Sequence, residues 1–116
     1  MQFALNIIKL IDYLPKNSVA NVIANQLLRS ATSVGANYRA ACRARSKADF
    51  ISKITIVEEE ADESCYWLQL VSKSNLLNNT LLIDLTKEAN ELTAIFTASG
   101  RTSKINNPKS TIRNPK

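Results

Sequence analysis

Apolar residues recur along this chain at alternating steps of four and three, the period of amphipathic helices. Phe3, Ile7, Leu10 and Leu14 place a first helix over about residues 2–14, which Pro15 ends. Ser18 is the expected N-cap of a second helix, whose inward positions Val19, Ile23, Leu27, Ser30, Val34, Asn37, Ala41 and Ala44 carry it to about residue 44. Ser46-Lys47-Ala48-Asp49 has the form of a capping box with Asp in the place of Glu, so a third helix begins there. Phe50, Ile54, Val57, Ala61, Ser64, Leu68 and Val71 then repeat over three heptads. About 30 residues at 1.5 Å each make this helix roughly 45 Å long, and such a rod needs neighbours of comparable length. Asn75, Asn78 and Asn79 mark the next connection, Thr80 is positioned to cap a fourth helix, and Leu82, Leu85, Ala89, Leu92 and Phe96 lead to a C-terminal stop at Gly100.

Four amphipathic helices with short connections pack as antiparallel neighbours, so the pattern predicts an all-α, up-down four-helix bundle. The domain is expected to occupy residues 1–100, with residues 101–116 a basic tail. Asn, Ser, Thr, Lys and two prolines, Pro108 and Pro115, leave that tail little apolar surface to offset the entropy of ordering, so disorder is expected there. The second helix carries many small residues, and close helix packing is the expected reason for Gly35 in its interior.

Charge alters the picture by its location. The net charge of +5 lies in Arg101, Lys104, Lys109, Arg113 and Lys116, while residues 1–100 hold ten basic and ten acidic side chains. A basic tail on a neutral body weakens any argument for nucleic-acid binding made from pI alone. No apolar run is long enough to span a bilayer, and nothing near Met1 has the order of a signal peptide, so a cytoplasmic, non-membrane protein is expected. Two cysteines are too few for a disulfide framework. Pairing the second and third helices about a turn near residue 45 puts Cys42 roughly 24 Å along the axis from Cys65, so they form no intrachain bridge.

Candidate chemistry is sparse. The acids Glu58, Glu59, Glu60, Asp62 and Glu63 could be read as metal ligands, but di-iron bundles use Glu-x-x-His pairs and this chain has no histidine. The same absence removes the usual general base and the common hydrolytic triads. Neither a catalytic residue nor a cofactor is therefore expected. The helix pairing also brings Arg29 level with Asp62 and Glu63, most simply as a structural ion pair.

Two surfaces remain. Arg39 and Arg43 share a helix face, and Arg45 and Lys47 adjoin it at the turn, giving a compact basic patch. It reads either as an anion-binding site or as cations meeting the helix dipole. Ile56, Tyr66, Trp67 and Leu70 lie outside the strict seam of the third helix. They read either as a subunit interface or as the margin of a broad bundle core.

The run from Gln26 to Arg39, QLLRSATSVGANYR, followed by Arg45-Ser46-Lys47-Ala48-Asp49-Phe50-Ile51, resembles the four-helix bundle proteins encoded in 23S rRNA intervening sequences. Glu60-Ala61-Asp62-Glu63 and Tyr66-Trp67-Leu68 extend the resemblance, which covers roughly residues 3–100. It implies an antiparallel bundle assembled as a ring-shaped pentamer, without known enzymatic activity. A related branch, the accessory proteins of diversity-generating retroelements, works beside a reverse transcriptase and binds nucleic acid. Arg29, Gly35, Asn37 and Arg39 fall on motif positions. Ala40 stands where the family pattern has Glu, Ser52 where His is common and Glu59 where a basic residue is common, which thins the basic surface.

The expected function is thus a non-enzymatic homo-oligomer that associates with RNA or a nucleoprotein through Arg39, Arg43, Arg45, Lys47 and the tail. The alternative is a protein-interaction scaffold with no direct nucleic-acid contact.

Overall fold

A computed structural model describes residues 1–105, with side chains through Thr102. The expected disorder of the tail falls largely on residues 106–116, which lie outside the described residues. Four helices make up the fold: α1 (Gln2–Ile11), α2 (Ser18–Cys42), α3 (Lys47–Lys73) and α4 (Thr80–Ile105). They form the all-α, antiparallel four-helix bundle that the spacing predicts, with α1 and α3 each packed against both α2 and α4. Successive contacts between α3 and α4 run in opposite directions along the chain, from Cys65–Thr93 through Glu58–Thr97 to Ile54–Gly100.

Local sequence explains where the helices start. The Ser46 hydroxyl accepts the Asp49 amide at 3.0 Å, as the capping box requires. At the other two connections the cap is one residue earlier than expected. Asn17, not Ser18, accepts the Ala20 amide at 2.9 Å, and Asn79, not Thr80, accepts the Leu82 amide at 2.8 Å. Both asparagines present a carbonyl to the third amide of the helix, a role Ser and Thr fill equally well. Helix α3 ends in a Schellman turn: Asn75 takes φ 58°, the Leu76 amide donates to the Val71 carbonyl and the Asn75 amide to the Ser72 carbonyl.

Gly100 does not end α4, which continues to Ile105. No glycine takes a positive φ among the described residues, and Gly100 is buried against α3, where a Cβ would lie 3.5 Å from Ile54 Cγ2. Packing against the first turns of α3 keeps the helix going where sequence alone predicted a stop.

The core has two parts. Ile7, Leu10, Leu27, Leu68 and Leu85 anchor a cluster drawn from all four helices. Val34, Ala41, Ile54, Val57, Ala61 and Phe96 form a second, to which α1 contributes nothing. At roughly 15 Å, α1 is too short to run beside the whole of α2, which is roughly 38 Å long. Beyond Met1 the bundle is three-helical, and there Tyr38 lays its ring against Phe96 with centroids 5.7 Å apart. Between the two clusters Ser30 and Ser64 meet, fully buried.

Val19 corrects the expected seam. It is 61% exposed, and Ala20 turns inward in its place. Two adjacent apolar residues in a first helical turn leave the choice to the direction in which the turn delivers the helix.

Candidate functional site

Arg39 lies in the last turn of α2, Arg43 is the C-cap residue, Arg45 lies in the connection and Lys47 opens α3. All four side chains are exposed. The antiparallel return of α4 brings Arg101, also exposed, to this end of the bundle, because Gly100 packs on Ile54. The sequence places Arg101 in the tail that is expected to act with the patch, whereas the structure makes it part of α4. Arg39, Arg43, Arg45 and Arg101 make no ion pair among the described residues. The nearby acid Asp49 pairs instead with Lys53, at 3.7 Å. The C-terminus of α2 gains from cations in its last turn, but Arg45 and Arg101 lie outside that helix, so the dipole does not account for the whole cluster.

Arg29 makes the expected ion pair with Glu63, and its second partner is Glu60, at 3.2 Å. Asp62 takes no part. Residues three apart share a helix face, so Glu60 and Glu63 point together toward α2 while Asp62 turns to solvent. Gln26 steadies the guanidinium by accepting from its Nε at 3.3 Å, and the Glu63 hydrogen bond holds the Arg29 guanidinium above its usual pKa. Glu63 also accepts the Trp67 indole N–H at 3.0 Å. That hydrogen bond first, and Arg29 with it, holds the Glu63 carboxyl below the usual range against the opposing effect of partial burial.

Of the expected interface residues, Ile56, Trp67 and Leu70 are half-buried and Tyr66 is 56% exposed. Trp67 and Leu70 pack against the larger core cluster and also line a groove of about 420 Å³ with Val19, Val22 and Ile23. They are core margin on one side and open surface on the other. Gly35 departs from its expected role: a Cβ there would meet nothing within 4 Å. Close packing inside the chain does not explain it.

Cys42 is exposed and Cys65 buried, both as free thiols. Burial pushes the Cys65 thiol above its usual pKa, and a hydrogen bond to Cys42 raises that of the Tyr38 hydroxyl. Among the described residues no group of three or more His, Cys, Asp and Glu side chains is placed to hold a metal ion. No helix among them is long and apolar enough to cross a membrane.

These features define a helical bundle whose distinctive surfaces are a cationic end and open grooves between helices. The chain belongs to the 23S rRNA-intervening sequence protein family, whose model matches residues 1–98. It is also similar to a solved structure from Bacteroides thetaiotaomicron VPI-5482, described as a protein of unknown function from the S23 ribosomal protein family. That likeness has a TM-score of 0.76 and 34% sequence identity, over 84% of this chain and 90% of the other. No curated protein matches.

Proposed function

We propose that this chain is a non-enzymatic, self-assembling bundle of the cytoplasm that binds structured RNA through the cationic end formed by Arg39, Arg43, Arg45, Lys47 and Arg101. The observation that carries this reading is the convergence of these exposed side chains from α2, the α2–α3 connection, α3 and α4, four of them without an ion pair among the described residues. Arginine forks suit phosphate oxygens, and an acid-poor surface at a helix end lets them act together. Family membership supports an RNA setting.

Self-assembly is supported by α1, and its closing as a ring of five is what the family resemblance implies. Met1, Leu5 and Ile8 stand exposed on the side opposite its core stripe. A helix apolar on both sides belongs in a covered position.

Binding of a labelled structured RNA to the full chain across a salt series tests the RNA reading. Affinity is expected to fall steeply with salt, and Arg43→Glu with Arg45→Glu is expected to weaken it about tenfold or more and flatten the slope. No binding, or binding unchanged in that variant, overturns the assignment. A stoichiometric protein partner surviving nuclease treatment would then favour the scaffold alternative.

A further inference from the structure

The open grooves between the helices differ in chemistry. Those between α1 and α2 and between α2 and α3 are lined mostly by apolar and small side chains. The groove between α3 and α4 is polar. It has a volume of about 480 Å³ and lies beside the last turns of α3, the connection at Asn78 and the first turns of α4. Gln69, Ser72 and Lys73 form one wall, and Thr86, Lys87 and Asn90 the other. Leu82, 2% exposed, and Ile83, 61% exposed, supply its apolar surface.

The polar groups of this groove are uncommitted. The side chains of Gln69, Ser72, Lys73, Asn78, Lys87 and Asn90 make no hydrogen bond or ion pair among the described residues. Only the Thr86 hydroxyl is spent, on the Leu82 carbonyl at 2.8 Å. No acid lines the groove. Asp84 and Glu91 lie three and four residues from Lys87, at spacings that form helical ion pairs, yet neither pairs with it among the described residues. Lys73, in the last turn of α3, meets the dipole of that helix, but Lys87 lies inside α4, where the dipole gives it no such role.

Two ammonium groups without an acid between them select an anion. The three carboxamides of Gln69, Asn78 and Asn90 offer donors and acceptors side by side, the pattern that matches the edge of a nucleobase. Ile83 offers an apolar surface to the face of a ring. A bare phosphate would leave the amides and Ile83 unused, and an acyl chain would desolvate the amides without pairing them.

We propose that the α3–α4 groove binds a nucleoside monophosphate unit, with Lys73 and Lys87 on its phosphate and Gln69, Asn78 and Asn90 on its base and sugar. The volume lies within the range of about 300–1,000 Å³ usual for small-molecule sites. The unit arrives either as a free nucleotide or as one residue of a single-stranded RNA. The site is separate from the cationic end, since the 27 residues of α3 put Lys73 roughly 39 Å from Lys47 along the helix.

Titration calorimetry of the full chain with adenosine, guanosine, cytidine and uridine monophosphates, their nucleosides and inorganic phosphate tests it. At least one monophosphate should bind about tenfold or more tightly than its nucleoside or inorganic phosphate, because each of those uses only part of the site. Lys73→Gln with Lys87→Gln should weaken that binding about tenfold or more while keeping the wild-type circular dichroism, since both side chains are exposed and unpaired. Arg43→Glu with Arg45→Glu should leave it unchanged, which separates this groove from the cationic end. A short single-stranded RNA identifies the source of the unit. Tighter binding than the monophosphate, lost with the same two lysines, makes the ligand a strand, and equal or weaker binding makes it a free nucleotide. The assignment is overturned if neither monophosphate nor strand binds, if inorganic phosphate binds as tightly, or if the lysine variant binds as wild type does.

Discussion

Ser30 and Ser64, both fully buried, meet across the contact between α2 and α3 with their hydroxyl oxygens 2.9 Å apart. Ser64 donates to Ser30, which donates in turn to the Leu27 carbonyl at 3.1 Å, and the Glu60 carbonyl offers Ser64 a second acceptor at 3.0 Å. Both polar groups are satisfied between two apolar clusters, so the pair marks the register of α2 against α3 at little cost.

Replacing either serine removes the bond between them together with that serine's own bond to a backbone carbonyl, without stranding the other, which keeps the carbonyl acceptor on its own helix. Ser30→Ala and Ser64→Ala are each expected to cost about 1 kcal/mol, and the double variant less than their sum. Urea unfolding of the four chains gives that coupling. Strict additivity would mean that the two hydroxyls do not act as a pair.

Glu63 ties stability to acid pH. Its folded pKa is depressed by the Trp67 indole and by Arg29, so its contribution is complete above the unfolded value of about 4.3 and disappears as pH falls through the folded one. Glu63→Gln should therefore be less stable than wild type at neutral pH, by roughly 1 kcal/mol or less given the exposure of the group. The two chains should converge as pH falls through the depressed folded value. Paired thermal melts across pH 3–7 read this directly.

Asn75 carries the one positive φ among the non-glycine described residues. Asn75→Ala should destabilise by about 1 kcal/mol, since a Cβ without a local polar partner resists the left-handed region, while Asn75→Gly should be neutral or stabilising. Gly100 gives the opposite expectation for a glycine inside a helix. Gly100→Ala should stabilise by about 0.5–1 kcal/mol, because its new methyl reaches only ordinary contact distance from Ile54. Denaturant midpoints of the three variants distinguish these outcomes.

The cysteines should report on core opening. Exposed Cys42 is expected to react with a thiol reagent in the native protein, and buried Cys65, its thiol pushed up by desolvation, only on unfolding. One equivalent titrating before denaturant and a second after it is the expected count. Fast native reaction at Cys65 would mean that the larger core cluster opens readily.

Helix number, helix type and the inward face of each rod were legible in the sequence because a period of 3.6 residues is a local property. Ile23, Leu27, Ile54, Leu68 and Leu85 could be assigned to the core from spacing alone, and all five are buried. The Ser46 cap and the Arg29–Glu63 pair followed from local chemistry and from antiparallel registration about a short turn.

Other features depend on how the rods meet. Spacing does not reveal that α1 covers only one end of the bundle, leaving Tyr38 to close the other against Phe96. Nor does it choose Glu60 over Asp62 for Arg29, since that depends on a rotation of α3 of less than one turn. Gly100 reads locally as a helix stop, but Ile54 makes it a packing position, and the helix that continues past it brings Arg101 to the cationic end. Gly35 reads locally as a close-packing residue, but the fold leaves its side open. The sequence by itself determined four amphipathic helices and the stripe each buries, because periodicity and capping act within a few residues. Only the tertiary structure decided which charges converge and which apolar faces stay uncovered, because those depend on distances between helices far apart in the chain.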